Sequence, residues 1–112
     1  MNLAALLSQT VSLKIHFSGD VVNAEYLPHK MTPKFRAFLI GLDNGVEIGE
    51  AQKDSAAQMA AEMLASWDVD YDGQPFPPTY DNLLTVPIEL LSAVVRAIWT
   101  DLGKRMSSES DG

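Results

Sequence analysis

Cysteine is absent from this sequence, which removes disulfide frameworks, thiolate nucleophiles and cysteine-ligated zinc or iron–sulfur sites together. Histidine is scarce. His16 and His29 are the only two, too few for a three-histidine catalytic zinc, and neither sits at a recognisable ligand spacing. Long apolar runs are missing as well: the leucine-rich start, residues 3–7, has no basic region ahead of it and is far shorter than a signal core or a membrane span. No membrane association is expected, and the chain reads as cytoplasmic. Positive charge is thin, with eight Lys and Arg against fifteen Asp and Glu for a net charge of −7. Such a surface repels phosphate backbones and offers few cations for counterion release, so nucleic acid is not an expected partner.

What is present suits one small core. Among 112 residues, 46% are hydrophobic and 21% charged, a globular composition at single-domain size. Charge is unevenly spread: residues 1–42 sum to +2, residues 43–81 to −8 and residues 82–112 to −1. Residues 10–17 alternate, with Val11, Leu13, Ile15 and Phe17 on one side, the period of a half-buried strand. Ser18-Gly19-Asp20 marks a turn, and residues 21–27 resume β-rich character, which predicts an antiparallel hairpin.

Helices are expected to cover that hairpin. Thr32-Pro33 is a start signal for a helix carrying Phe35, Phe38, Leu39 and Leu42, which Gly41 and Asn44-Gly45 should end near Leu42. A second helix is expected from a cap at Asp54 or Ser55, with Ser55 and Gln58 as a capping box, through Trp67. Its Ala and Met stripe is core before it is a partner groove. Residues 68–78 form a loop by composition, residues 79–84 a short helical turn, and Pro87 opens a last helix. There Ile88, Leu91, Val94, Val95, Ile98, Trp99 and Leu102 make a broad apolar stripe that Gly103 should stop. The expectation is an α+β fold, mostly helical: an N-terminal β-hairpin packed against three to four α-helices, one domain over residues 1–103 and a disordered polar tail over 104–112.

Chemical motifs are few. Asp68-Val69-Asp70-Tyr71-Asp72-Gly73 opens like a calcium loop, in which alternate carboxylates converge on a hard cation. The twelfth position is Thr79 in place of a bidentate glutamate, and prolines at 75, 77 and 78 disturb the second half. Asp68, Asp70 and Asp72 are therefore weak metal candidates, with a solvated acidic turn as the plainer reading. Ser12 or Ser18 lacks the sequence context of a catalytic serine. Gly41, Gly45 and Gly49 stand in too acidic a setting to cradle phosphate. Trp67 and Trp99 close apolar stripes as core anchors or as binding hot spots. No cofactor and no catalytic residue is expected.

The order of fragments resembles one family over nearly the whole chain. Leucines 3, 6 and 7, the strand to Phe17, Val22-Asn23-Ala24-Glu25-Tyr26-Leu27-Pro28 and Met31-Thr32-Pro33 come first. Ser66-Trp67-Asp68-Val69, Asp72-Gly73-Gln74-Pro75, Pro77-Pro78-Thr79, Asn82-Leu83-Leu84, Val86-Pro87 and Ala97-Ile98-Trp99 follow. This collinear set resembles the tail assembly chaperones of siphophages and their prophage relatives. Leu27 stands where the family usually has a basic residue, and Val21-Val22 disturb the second strand's alternation. The resemblance implies a non-enzymatic protein of the host bacterial cytoplasm that binds the tape measure protein and recruits tail tube protein during tail morphogenesis. It also implies a ribosomal frameshift near Gly103-Lys104, followed by a longer form. On the last helix, Leu91, Val95 and Trp99 are the expected partner contacts, because the stripe is wider than one packed face needs. The alternatives are a structural tail or connector protein retained in the virion and a calcium-binding module; self-association is compatible with each.

Overall fold

A computed structural model describes the backbone of residues 2–43 and 48–111, and their side chains apart from those of 42, 43 and 105–111. The chain begins with a short helix, α1 (Leu3–Leu7), whose free N–H groups at Ala4 and Ala5 donate to the Asn2 side chain at 3.0 and 3.3 Å. The expected hairpin follows as β1 (Val11–Phe17) and β2 (Asp20–Tyr26). Ser18 and Gly19 both have positive φ, 53° and 81°, the mirror-image turn whose twist suits a two-residue hairpin. Register pairs Leu13 with Ala24 and Ile15 with Val22, so the alternation places Leu13, Ile15, Ala24 and Tyr26 in the core, while Ser12, Lys14, His16, Asn23 and Glu25 face out.

A 3-10 turn at Pro28–Lys30 leads to α2 (Pro33–Asp43), capped as expected by the Thr32 hydroxyl, which accepts from Phe35 N–H at 3.2 Å. Gly41 lies within that helix, and the stop signal expected at Asn44-Gly45 lies outside the described residues. The next helix, α3 (Glu50–Met63), starts a turn earlier than the sequence suggested. Its cap is Gly49, whose N–H donates to Gln52 Oε1 at 2.9 Å. Asp54 and Ser55 thus fall inside the helix, and Asp54 accepts from Gln58 Nε2 at 3.1 Å and from the Tyr80 hydroxyl.

The larger departure comes at residue 64. The helix stops at Met63 and the chain extends as β3 (Leu64–Trp67), pairing antiparallel with β2 to give a three-stranded sheet in the order β1-β2-β3. The Leu27 N–H donates to Met63 O at 2.7 Å and the Asp68 N–H to Asn23 O at 3.0 Å, which prolong that ladder at both ends. A second, two-stranded unit, β4 (Asp70–Tyr71) and β5 (Gln74–Pro75), occupies part of the expected loop. The last elements are α4 (Tyr80–Thr85) and α5 (Ile88–Asp111).

Helix α5 lies on β1, α3 and α2, and α3 also packs on α4. Tyr26, Leu39, Met59, Ala60, Met63, Leu83, Leu91, Val94, Val95 and Ile98 are all fully enclosed. Burying each large side chain of this set contributes about 1.5–3 kcal/mol. The Tyr26 hydroxyl donates to the Asp101 carboxylate and ties the middle of the sheet to α5. Helix α5 passes through Gly103 to Asp111, so the expected break at Gly103 is corrected. An interior helical glycine costs about 1 kcal/mol against alanine, too little to end a helix this long when Lys104, Arg105 and Met106 follow. The α+β architecture, a hairpin under helices, is the one expected, with a third strand added to the sheet. Among the described residues no helix is long and apolar enough to cross a membrane.

Candidate functional site

Two regions carry the candidates: the stripe on α5 and the acidic segment after β3. On α5, Leu91 and Val95 are both 0% exposed. Because this helix is flanked by β1, α3 and α2, its wide stripe is divided among several packed neighbours. The expectation that Leu91 and Val95 meet a partner is therefore corrected: both side chains are interior. Trp99 is half-buried on the edge of the core and keeps accessible ring surface.

The acidic segment is organised around β2. Asp68 receives the Asn23 N–H at 2.9 Å on one oxygen and the Asn23 side-chain amide at 3.0 Å on the other. These bonds, the side-chain one foremost, hold the Asp68 carboxyl below its ordinary pKa. Both partners are exposed, so the clamp registers β3 against β2 from the solvent side. Asp70 turns the other way and accepts the Gly73 N–H at 3.0 Å, closing a tight hairpin in which Asp72 and Gly73 have φ of 50° and 82°. The carboxylates of a calcium loop must converge. Here Asp68 is committed to β2 and Asp70 to its own turn. Among the described residues no group of three or more His, Asp or Glu is placed to hold a metal.

Trp67 shows what the sequence did not predict. Expected at the end of a helix, it stands instead on β3 opposite Ala24. Its indole N–H donates to Phe76 O, and its ring stacks on Phe76 with centroids 6.4 Å apart. Tyr71 stacks on the same ring, also at 6.4 Å, while remaining 69% exposed. Three aromatics thus form a ladder running from the core edge to solvent. The sequence signal was available, since Trp67, Tyr71 and Phe76 flank a turn motif at Asp72-Gly73, and a hairpin brings such neighbours together.

With this geometry established, some of the fragments quoted above prove to be contact partners. Asn23 and Asp68 are 45 residues apart and bonded twice. Pro77 O accepts from the Asn82 side chain at 2.9 Å, and the Thr79 hydroxyl caps α4 by accepting the Asn82 N–H at 3.3 Å. Comparison with family models, curated proteins and solved structures finds no match to this chain. Nearby, Tyr80 donates its hydroxyl to Asp54, and that bond together with desolvation raises its pKa. His16 and His29 are both exposed, one on the outer face of β1 and one in the 3-10 turn.

Proposed function

We propose that this chain is a non-enzymatic tail assembly chaperone of a long-tailed bacteriophage or prophage, acting in the host cytoplasm to bind the tape measure protein and recruit tail tube protein. One observation carries the reading. Two of the fragments that resemble the family are bonded to each other, with Asn23 of the Val22–Pro28 stretch clamping Asp68 of the tryptophan-aspartate stretch. The surface offered to a client consists of exposed and half-buried aromatics, Tyr71 at the end of its ladder and Trp99 on α5. A rigid aromatic ring with one open face is suited to apolar helices of a client. The acidic surface keeps a chaperone–client complex from associating further.

Co-expression with the tape measure protein tests this. The client should stay in the soluble fraction with this chain and precipitate without it. Tyr71→Ala combined with Trp99→Ala, in a variant that still unfolds cooperatively, should lower the soluble yield of client. Purified virions should lack the chain; its retention in particles would favour a structural tail protein instead.

A further inference from the structure

Strand β1 sits at the edge of the sheet, with β2 on one side only. In an antiparallel pair closed by a two-residue turn, bonded and non-bonded pairs alternate from the pair flanking the turn. Phe17, Ile15 and Leu13 therefore turn their peptide groups towards Asp20, Val22 and Ala24. The peptide groups of Ser12, Lys14 and His16 consequently face the open edge. Those same three residues line one wall of a groove of about 490 Å³, whose other wall is α5 through Ala93, Arg96, Ala97, Thr100 and Lys104. The small side chains of Ala93 and Ala97 leave the space between strand and helix unfilled.

The groove is also cationic in an acidic molecule. Lys14, Arg96 and Lys104 are three of the eight Lys and Arg in a chain of net charge −7. Among the described residues no ion pair involves these three side chains. The acid in the groove is Asp101, which accepts the Tyr26 hydroxyl. We propose that this groove binds an acidic, extended segment of another polypeptide, which adds to β1 as a fourth strand while its carboxylates meet Lys14, Arg96 and Lys104. Open main-chain donors and acceptors supply affinity, and the flanking cations select the sequence. The seven residues of β1 span about 24 Å at roughly 3.4 Å per residue, which sets the length of segment that fits. A second copy of this chain is a poor occupant, because a symmetric antiparallel pairing of β1 with β1 about Lys14 sets that lysine against its counterpart, and like charges across a ladder repel. Edge lysines guard a sheet against such self-pairing. The same charges attract an acidic strand. This inference does not rest on the tail-assembly reading.

The test is fluorescence anisotropy of the whole chain with a labelled, end-blocked peptide alternating Glu and Thr, of a length that spans β1. Saturable binding is expected, weakened by added salt and absent for the corresponding Lys and Thr peptide. Lys14→Glu with Arg96→Glu should weaken binding by roughly tenfold or more, whereas Lys30→Glu with Lys34→Glu, exposed cations outside the groove, should leave it unchanged. A peptide N-methylated at alternate residues keeps its charge but cannot pair with an edge, and it should lose binding. Equal affinity of the methylated and unmethylated peptides would overturn strand addition, and so would no binding at millimolar peptide. Displacement of the acidic peptide by an oligothymidylate at lower concentration would assign the groove to nucleic acid and also overturn the proposal. Sedimentation showing that the free chain dimerises through Lys14 would do so as well.

Discussion

Leu91→Ala separates the two accounts of helix α5. If Leu91 presented its side chain to a client, shortening it would change client binding and leave the fold's stability nearly untouched. The structure places Leu91 at 0% exposure within the core that also holds Val94, Val95 and Ile98. Removing three carbon groups from that site forfeits about 2.4 kcal/mol of transfer free energy at ~0.8 kcal/mol for each. A cavity term follows, since a core held by β1, α3 and α2 on several sides collapses only partly, and measured Leu→Ala losses in such cores run to about 5 kcal/mol. The expected loss is therefore about 3–4 kcal/mol, a large part of the ~5–15 kcal/mol that stabilises a domain of this size. In urea, with a slope of roughly 1.2 kcal/mol per molar, the midpoint should fall by about 2.5–3.3 M. Circular dichroism at increasing urea measures it directly, and the slope should not change. A loss below about 1 kcal/mol would mean that the site is open or that the surroundings refill it, and the packing described for α5 would be wrong. Val95→Ala, one turn further along the same buried face, should couple to Leu91→Ala instead of adding to it, because contacting residues share a cavity.

Asn23→Ala removes the foremost cause of the low Asp68 pKa. A depressed carboxyl pKa contributes stability that is present above the unfolded value, about 3.9, and lost as pH falls through the folded value. The variant should thus be less stable than the parent at neutral pH, and the gap should close below about pH 4; a gap that persists unchanged at lower pH would refute the clamp. NMR titration should show the Asp68 carboxyl moving up towards the ordinary range. Gly103→Ala should stabilise the chain by about 0.5–1 kcal/mol in thermal melts, because the position is exposed, interior to α5 and open around a new methyl. Gly73→Ala should do the opposite, by about 1 kcal/mol or more, since its φ of 82° disfavours a side chain although the space is empty.

Glycine therefore meant different things at 73 and 103. Local sequence chemistry was enough for the first: Asp72-Gly73 is a turn dipeptide, and the structure has both residues at positive φ. The hairpin of β1 and β2 was legible for a related reason, because Val11, Leu13, Ile15 and Phe17 alternate and Ser18-Gly19 closes them. Thr32-Pro33, Thr79 and Pro87 marked helix starts by groups within a turn of the cap. At Gly103 the local signal misled, since the helix it interrupts is anchored upstream by a long buried face ending at Leu102.

The candidate site was harder to read, for reasons of distance along the chain. Residues 60–67, Ala-Ala-Glu-Met-Leu-Ala-Ser-Trp, continue a helical composition with no breaker between them, and only Trp67 has appreciable β-propensity. What ends the helix at Met63 is β2, which offers peptide groups to Leu64–Trp67 and a second bond from Leu27 to Met63. A strand of this kind is tertiary in origin. The same dependence decides which apolar residues on α5 remain outside. A stripe's width says how many sides can be covered, while the number of neighbours that cover it is set by elements distant along the chain, β1 and α3 among them. Leu91 and Val95 fell inside because the sheet and α3 reach α5 from different directions, and Trp99 stayed partly open because it lies at the margin of that enclosure. It follows that a partner surface on this fold is to be sought where the sheet ends, at the open edge of β1 and at the Trp67–Phe76–Tyr71 ladder beyond β3, and at Trp99 on the margin of α5, and not along the buried length of the helical stripe that holds Leu91 and Val95.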